Sequence, residues 1–222
     1  MASRPRQLAL ALDHAESYAR EDFLSGPCNA AALAHIDSWP DWSANAVALV
    51  GPEGSGKSHL AAIWTAAAGA RVISGRALTQ SDLLASLATG ALVVEEAAAA
   101  DERALFHLIN LAREQEAFLL LTARTAPSVW PVALADLASR LRAIPVITLQ
   151  PPDDALLRAL IVKIAADRQL DLDESTVGYL STHIERSFAA ARAAVIALDD
   201  EALQRGRPPT RALAAEMFRG GH

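Results

Sequence analysis

The sequence predicts an α/β protein with a five-stranded parallel sheet and a C-terminal all-helical segment. Five short apolar runs lack the polar alternation of half-exposed strands, which is typical of parallel strands covered on both faces. Segments of helical length separate these runs. A complete G-x-x-x-x-G-K-S motif stands between the first apolar run and the helical segment that follows it. Strands and helices in alternation define the α/β class.

The strands and their connecting helices follow in chain order. The apolar runs predict strands at 46–50, 72–74, 92–94, 118–122 and 146–149. Helices are predicted at 58–68, 81–88, 101–115 and 134–141, several of them opened by Ser or Asp, which accept hydrogen bonds at helix N-termini. The segment 101–115 shows helical periodicity most clearly, because four of its apolar residues share one face: Leu105, Leu108, Ile109 and Ala112.

The pair Pro151-Pro152 ends this alternation, and the remaining sequence predicts helices only. These helices are predicted at 153–168, 173–183, 187–204 and 210–218. Because about 70 residues are few for an independent core, we expect this segment to pack on the α/β part. The predicted organisation is an N-terminal tail (1–19), an α/β domain (20–150) and a helical domain (151–222).

The composition limits the class of protein. The 222 residues carry a formal net charge of −6 and the 20 basic residues are scattered, so a direct nucleic-acid surface is not expected. No stretch approaches the ~18 apolar residues of a membrane span. The apolar run after Arg4 and Arg6 is too short for a secretion signal. The single Cys28 permits no internal disulfide, and the 6 histidines lack metal-ligand spacing, so we expect a cytoplasmic protein.

The G-x-x-x-x-G-K-S motif predicts a phosphate site. Its fixed positions are Gly51, Gly56, Lys57 and Ser58. Glycines let the backbone curl so that its N–H groups face a phosphate, and the helix N-terminus adds partial positive charge. Lys57 is expected to reach the outer phosphates and Ser58 to bind Mg²⁺. The other residues expected to contact a nucleoside di- or triphosphate here are Pro52, Glu53, Gly54, Ser55 and His59.

Two glutamates follow the third predicted strand. Glu95 and Glu96 come directly after three apolar residues, where a nucleotide site needs acid to hold the Mg²⁺ shell and to orient water. Both are candidate catalytic residues, and Glu95 is the candidate for holding Mg²⁺ through water. Asp is usual at this position, and Glu is one methylene longer. The alternative is that both glutamates mark a solvent-exposed strand end.

Several segments together resemble AAA+ ATPases of the DnaA/Hda family. They are REDFLSGPCNAAALAHID, GPEGSGKS, LVVEE, LLLTARTAP and DLASRLRAIPVITLQPPDD, and with the helical segment they span nearly the whole chain from Arg20. DLASR followed by a strand and two prolines is the most specific of them. Because no helix-turn-helix sequence follows before His222, the resemblance favours the short regulatory Hda-type (HdaA) branch. The implied fold is a AAA+ core with a helical lid.

The resemblance implies roles for particular residues. Arg140, in DLASR, matches the arginine finger that a AAA+ subunit points into the nucleotide site of its neighbour; a salt bridge to Asp136 is the alternative. Phe23, Leu24 and Asn29 are implied adenine contacts. The implied partners are DnaA, whose bound ATP would be hydrolysed with the help of the finger, and the DNA polymerase sliding clamp. Self-association stays open.

Three positions depart from the family pattern, and all three would serve hydrolysis in the chain's own site. Glu95 replaces an Asp, Arg124 stands where a small polar sensor residue is expected, and Ala189 stands about where the lid supplies a sensor arginine. Arg192, one helical turn later, is a candidate substitute. The pattern predicts a subunit that holds ADP or ATP with Mg²⁺, hydrolyses it weakly and completes a partner's active site.

The segment QLALAL near the N-terminus alternates in a way typical of an extended peptide. The resemblance implies a clamp-binding peptide formed by Gln7, Leu8, Leu10 and Leu12. A tail strand packed on its own domain is the alternative.

Two other functions fit a short P-loop chain with a helical lid. A helicase-loading AAA+ protein would use QLALAL to bind a helicase. A small-molecule kinase would need a second cluster of Arg, Asp or His for its acceptor, and the sequence offers no convincing one.

Overall fold

The computed structural model describes residues 18–220. Their five strands form one parallel sheet in the order β2-β3-β4-β1-β5. The strands are β1 (Ala46–Val50), β2 (Arg71–Ser74), β3 (Ala91–Glu95), β4 (Phe118–Ala123) and β5 (Val146–Thr148). In β1, Ala48 lies opposite both Leu121 of β4 and Val146 of β5. The predicted five-stranded α/β fold is confirmed, and each strand ends within one residue of its predicted bounds.

Nine α-helices occur within residues 18–220. They are α1 (Ala30–Asp37), α2 (Lys57–Ala68), α3 (Leu83–Ser86), α4 (Glu102–Glu114), α5 (Ala135–Ala143), α6 (Asp154–Asp167), α7 (Glu174–His183), α8 (Phe188–Arg205) and α9 (Arg211–Gly220). Eight correspond to predicted segments, and α1 does not. The helix predicted at 81–88 is shorter than expected, because a 3-10 turn at Gln80–Asp82 replaces its first part.

Two apolar clusters cover the two faces of the sheet. Helices α3, α4 and α5 pack on one face around Leu108 and Leu119, while α1 and α2 pack on the other around Trp64 and Leu120. All four side chains are fully buried. Leu119 and Leu120 are consecutive on β4 and face opposite clusters, because successive side chains of a strand alternate. Burial on both faces explains why β1, β3 and β4 show no polar alternation, whereas the edge strands β2 and β5 are largely exposed, contrary to the expectation that all five strands are covered.

Helices α6 to α9 enclose a third apolar cluster of their own, which includes Leu157, Ile161, Leu180, Val195 and Leu213. Three of these helices begin as their sequences predict. Asp153, Asp173 and Ser187 stand at the N-caps of α6, α7 and α8, and each side chain accepts a hydrogen bond from a backbone N–H three residues on. No helix within residues 18–220 has the length and apolar character needed to cross a membrane.

The helical segment contacts the α/β part near the chain's N-terminal end. The Lys163 ammonium of α6 donates to Asp22 Oδ1 at 2.7 Å and to Asp167 Oδ2 at 2.8 Å. These two carboxylates raise the pKa of Lys163. Leu156 of α6 packs so closely on Gly26 that a Cβ at Gly26 would lie 3.0 Å from its side chain. These contacts hold α6 against residues 22–26 of the α/β part.

Candidate nucleotide-binding site

The segment of residues 51–58, named here the glycine loop, runs from the end of β1 into the first turn of α2. Gly54 and Gly56 adopt φ of 68° and 94°, which only glycine reaches without strain. No side chain caps the N-terminus of α2. Its first N–H groups can therefore donate hydrogen bonds to a ligand on the concave side of the loop. A strand, a glycine turn and an uncapped helix N-terminus form an anion-binding cradle.

Lys57 lies within this cradle. Its Nζ donates to the carbonyl oxygens of Gly51 at 2.9 Å and Pro52 at 2.7 Å. Burial lowers the pKa of Lys57, and the positive charge of Arg124 lowers it further while Glu53 raises it. A phosphate that entered the cradle would offer the ammonium a stronger, charged acceptor than these neutral carbonyls.

Ser55 lies beside Gly51 within the glycine loop. It is buried, and its Oγ has no hydrogen-bond partner among the described residues. A Cβ built on Gly51 would lie 2.8 Å from this Oγ and 2.8 Å from the carbonyl oxygen of Leu149. Gly51 is therefore needed because the loop, Ser55 and the end of β5 leave no room for a side chain.

A cavity of about 570 Å³ opens beside the glycine loop, between the α/β part and the helical segment. The glycine loop contributes Gly54, Gly56, Lys57 and Ser58 to its wall, and α2 contributes His59. The N-terminal segment contributes Tyr18, Phe23 and Leu24. The helical segment contributes Leu160, Ile164, Phe188, Ala189 and Arg192. A phosphate cradle at one side and aromatic and aliphatic side chains at the other are suited to a nucleotide.

The implied adenine contacts divide into two kinds. Phe23 and Leu24 line the cavity, and the Phe23 ring packs edge-on against His59 with 5.2 Å between ring centroids. The buried Asn29 instead holds the turn behind them, because its Oδ1 accepts from the Gly26 N–H and its Nδ2 donates to the Leu24 carbonyl. Asn29 is not among the residues that line this cavity. Its geometry is that of a positioning residue.

Helix α8 begins directly against the glycine loop. The Phe188 N–H donates to the Gly54 carbonyl at 2.8 Å, and a Cβ at Gly54 would lie 3.0 Å from the Cβ atoms of Ala189 and Ser187. The position where the resemblance expects a lid arginine therefore holds a small residue that touches the loop. Arg192, one turn along α8, lines the cavity.

Glu95 and Glu96 lie at the carboxyl end of β3, as predicted. Glu95 is half-buried, and Glu96 is exposed with its N–H donating to Thr122 Oγ1 of β4 at 3.3 Å. Neither glutamate is among the residues that line the 570 Å³ cavity. Within the described residues no group of three or more His, Cys, Asp or Glu could enclose a metal by itself. Ser58 lines the cavity and Glu95 does not, so the predicted sharing of Mg²⁺ between them stays a prediction.

Arg124 directly follows β4, the strand next to β1, and meets the glycine loop. Its Nη2 lies 2.5 Å from Glu53 Oε2. The sequence shows that Arg124 stands where a small polar residue is expected. It does not reveal that Glu53, 71 residues away, is the partner of Arg124.

Arg140 occupies a different surface. The helix that carries it, α5, is held at its N-terminus by the Glu102 carboxylate, which accepts from the N–H groups of Ala133 and Leu134 at 2.9–3.0 Å. The Arg140 guanidinium lies 5.3 Å from the centre of the Phe106 ring. Among the ion pairs of residues 18–220 there is none between Arg140 and Asp136.

Arg140 lines a shallow depression of about 680 Å³ together with residues of α3 and α4 that include Leu84, Phe106 and Asn110. This depression shares no lining residue with the cavity beside the glycine loop. Arg140 thus does not line the chain's own candidate nucleotide site. The predicted clamp-binding residues Gln7, Leu8, Leu10 and Leu12 lie outside the described residues.

The fold is that of AAA+ ATPase domains. A scan against protein-family models finds no match, and no curated protein matches the chain by sequence. The likeness to known proteins therefore concerns the three-dimensional fold alone.

Domain III of the replication initiation protein DnaA from Thermotoga maritima is similar over 91% of this chain and 96% of its own, with a TM-score of 0.77 and 19% identity. The replication initiator DnaA bound to AMPPCP and single-stranded DNA matches 82% of this chain and 64% of its own, with a TM-score of 0.67 and 17% identity. A Thermotoga maritima RuvB structure matches 92% of this chain and 72% of its own, with a TM-score of 0.74 and 16% identity.

Proposed function

We propose that this chain is a nucleotide-holding AAA+ subunit of the cytoplasm that binds the DNA polymerase sliding clamp and stimulates hydrolysis of DnaA-bound ATP. One observation carries the proposal: Arg140 has no carboxylate partner among the described residues and lies on a depression separate from the chain's own cavity. A guanidinium fixed at a surface can stabilise developing phosphoryl charge only in the site of a neighbouring molecule.

The chain's own site supports holding nucleotide more than cleaving it. The glycine loop, Lys57 and the aromatic wall of the cavity are present. Arg124 is paired with Glu53, and the small Ala189 stands against the loop. We therefore propose slow intrinsic hydrolysis and a bound nucleotide, ADP in the regulatory state, with Arg192 as a lid residue directed at its phosphates.

Mg²⁺ would be held by Ser58 directly and by Glu95 through water, and when bound it would supply positive charge between the phosphates. Lys57 contributes a second positive charge at the same phosphates, while the N–H groups of the glycine loop fix their orientation. Glu96 is the candidate for orienting water.

The partner assignment rests on the resemblance of the sequence to the DnaA/Hda family and on the similarity of the fold to DnaA domain III. AAA+ modules of like shape can pair head to tail, which lets Arg140 of one face the nucleotide of the next. The segment QLALAL would bind the clamp and bring Arg140 to DnaA where a clamp is loaded on DNA. Self-association of the chain through the same face remains part of the proposal.

The test compares Arg140→Ala with Arg142→Ala. Both arginines lie on α5, and the exposed Arg142 folds back on the carbonyl of Ala138. We expect Arg140→Ala to lower stimulated hydrolysis of DnaA-bound ATP by about 10³-fold, the lower end for arginine fingers, with nucleotide binding unchanged. Arg142→Ala should retain stimulation. Full stimulation by the Arg140 variant would refute the proposal.

A further inference from the structure

The glycine loop contains a carboxylate, Glu53, although the loop is expected to receive phosphates. Glu53 lies between Pro52 and Gly54, and the Arg124 guanidinium lies 2.5 Å from its Oε2. The pairing of β1 with β4 accounts for the contact. Val50 is opposite Ala123, and the Gly51 N–H donates to the Ala123 carbonyl, so the residues after both strands emerge at one edge of the sheet.

Both charges act on the ammonium that is expected to reach the phosphates. The Arg124 charge lowers the pKa of Lys57 and the Glu53 charge raises it. Any anion near Lys57 is therefore within range of both side chains. It is attracted by Arg124 and repelled by Glu53.

The ion pair is readily exchanged. The Arg124 and Glu53 side chains are 70% and 77% exposed, and ion pairs so exposed contribute little to stability. A phosphate group carries more negative charge than a carboxylate and accepts two parallel N–H bonds from a guanidinium. In the cradle a terminal phosphate would therefore compete well for Arg124.

We propose that Glu53 is an internal competitor of the nucleotide, holding Arg124 until the terminal phosphate of ATP takes its place. In the second arrangement Arg124 faces the phosphate, and Glu53 turns to solvent. The inference rests on the proposed nucleotide site but does not depend on Arg140 or on any partner. Glu53 thus sets how strongly the site prefers ATP over ADP.

The test is the binding of ATP and of ADP, each with Mg²⁺, to the full chain by isothermal titration calorimetry. Arg124→Ala should weaken ATP binding about tenfold, the loss of one charge-assisted contact, and ADP binding much less. Glu53→Gln should tighten ATP binding several-fold, and added salt should shrink this gain. In the Arg124→Ala background, Glu53→Gln should change the ratio of ATP to ADP affinity much less, because only the direct repulsion between Glu53 and the phosphates is then removed.

The matched control is Asp154→Asn, which also removes one negative charge and also breaks an exposed pair. Asp154 lies 2.6 Å from Arg186, with side chains 69% and 59% exposed, and neither is among the charges that shift the pKa of Lys57, as Arg124 and Glu53 are. We expect its ATP affinity to equal that of the unchanged chain. Equal effects of Glu53→Gln and Asp154→Asn, or equal losses of ATP and ADP binding in Arg124→Ala, would overturn the inference. Failure of the unchanged chain to bind either nucleotide would instead refute the proposed nucleotide site.

Discussion

Replacing Gly54 with Ala tests the contact between the glycine loop and helix α8. Gly54 has φ of +68°, where an L-residue costs roughly 1–2 kcal/mol. The added Cβ would also lie 3.0 Å from the Cβ atoms of Ser187 and Ala189, and overpacking of this kind costs about 1–3 kcal/mol. The sum is a loss of roughly 2–5 kcal/mol in the free energy of unfolding.

Gly69→Ala is the matched control, because Gly69 has a similar φ of +60° and a Cβ there would meet nothing within 4 Å. It should lose only the backbone part, roughly 1–2 kcal/mol. Urea denaturation followed by circular dichroism measures both losses. Gly54→Ala should also weaken nucleotide binding, since relief of the clash moves α8 off the loop. If the two variants lose the same stability and Gly54→Ala binds nucleotide normally, the packing argument is wrong.

Three further predictions follow from single contacts. Phe106→Leu should reduce stimulation of DnaA-bound ATP hydrolysis while Phe106→Tyr retains it, because an aromatic face holds the Arg140 guanidinium; equal activities in a phosphate-release assay would contradict this. Deletion of residues 1–13 should abolish clamp association in pull-down and preserve the melting temperature, and retained clamp binding would refute the peptide assignment. Burial lowers the pKa of His35, so the folded protein favours its neutral ring. The resulting stabilisation is present above the pKa of His in the unfolded chain, about 6.5, and is lost as pH falls below that value. The melting temperature should therefore fall less below pH 6.5 in His35→Phe, which retains a ring to stack on Trp42; an unchanged pH profile would disprove this role.

Local patterns predicted the strands and most helices, because short apolar runs and N-cap residues leave a clear signal in the sequence, even in the exposed edge strands β2 and β5. Helix α1 was missed for a physical reason. The residue at its N-cap, Asn29, makes no cap hydrogen bond to the helix and instead bonds to Leu24 and Gly26. The predicted helix at 81–88 was too long because Gln80–Asp82 form a 3-10 turn in place of the first turn of an α-helix.

The part of the candidate site that could be predicted from the sequence is the part formed by the G-x-x-x-x-G-K-S motif. The glycine loop is one continuous segment, so its turn and helix N-terminus follow from sequence. The Glu53–Arg124 pair does not, since it depends on β4 lying beside β1 in the sheet. The approach of Ala189 to Gly54 likewise depends on how the helical segment packs.

The central claim is that this chain causes a partner's nucleotide to be hydrolysed. The most direct measurement is a single-turnover experiment in which DnaA carries ATP labelled at the γ-phosphate and this chain carries unlabelled ADP, with a sliding clamp loaded on DNA. We expect rapid release of labelled phosphate only when both proteins and the clamp are present. Release at the rate of DnaA alone, or equally fast hydrolysis of labelled ATP bound to this chain by itself, would contradict it.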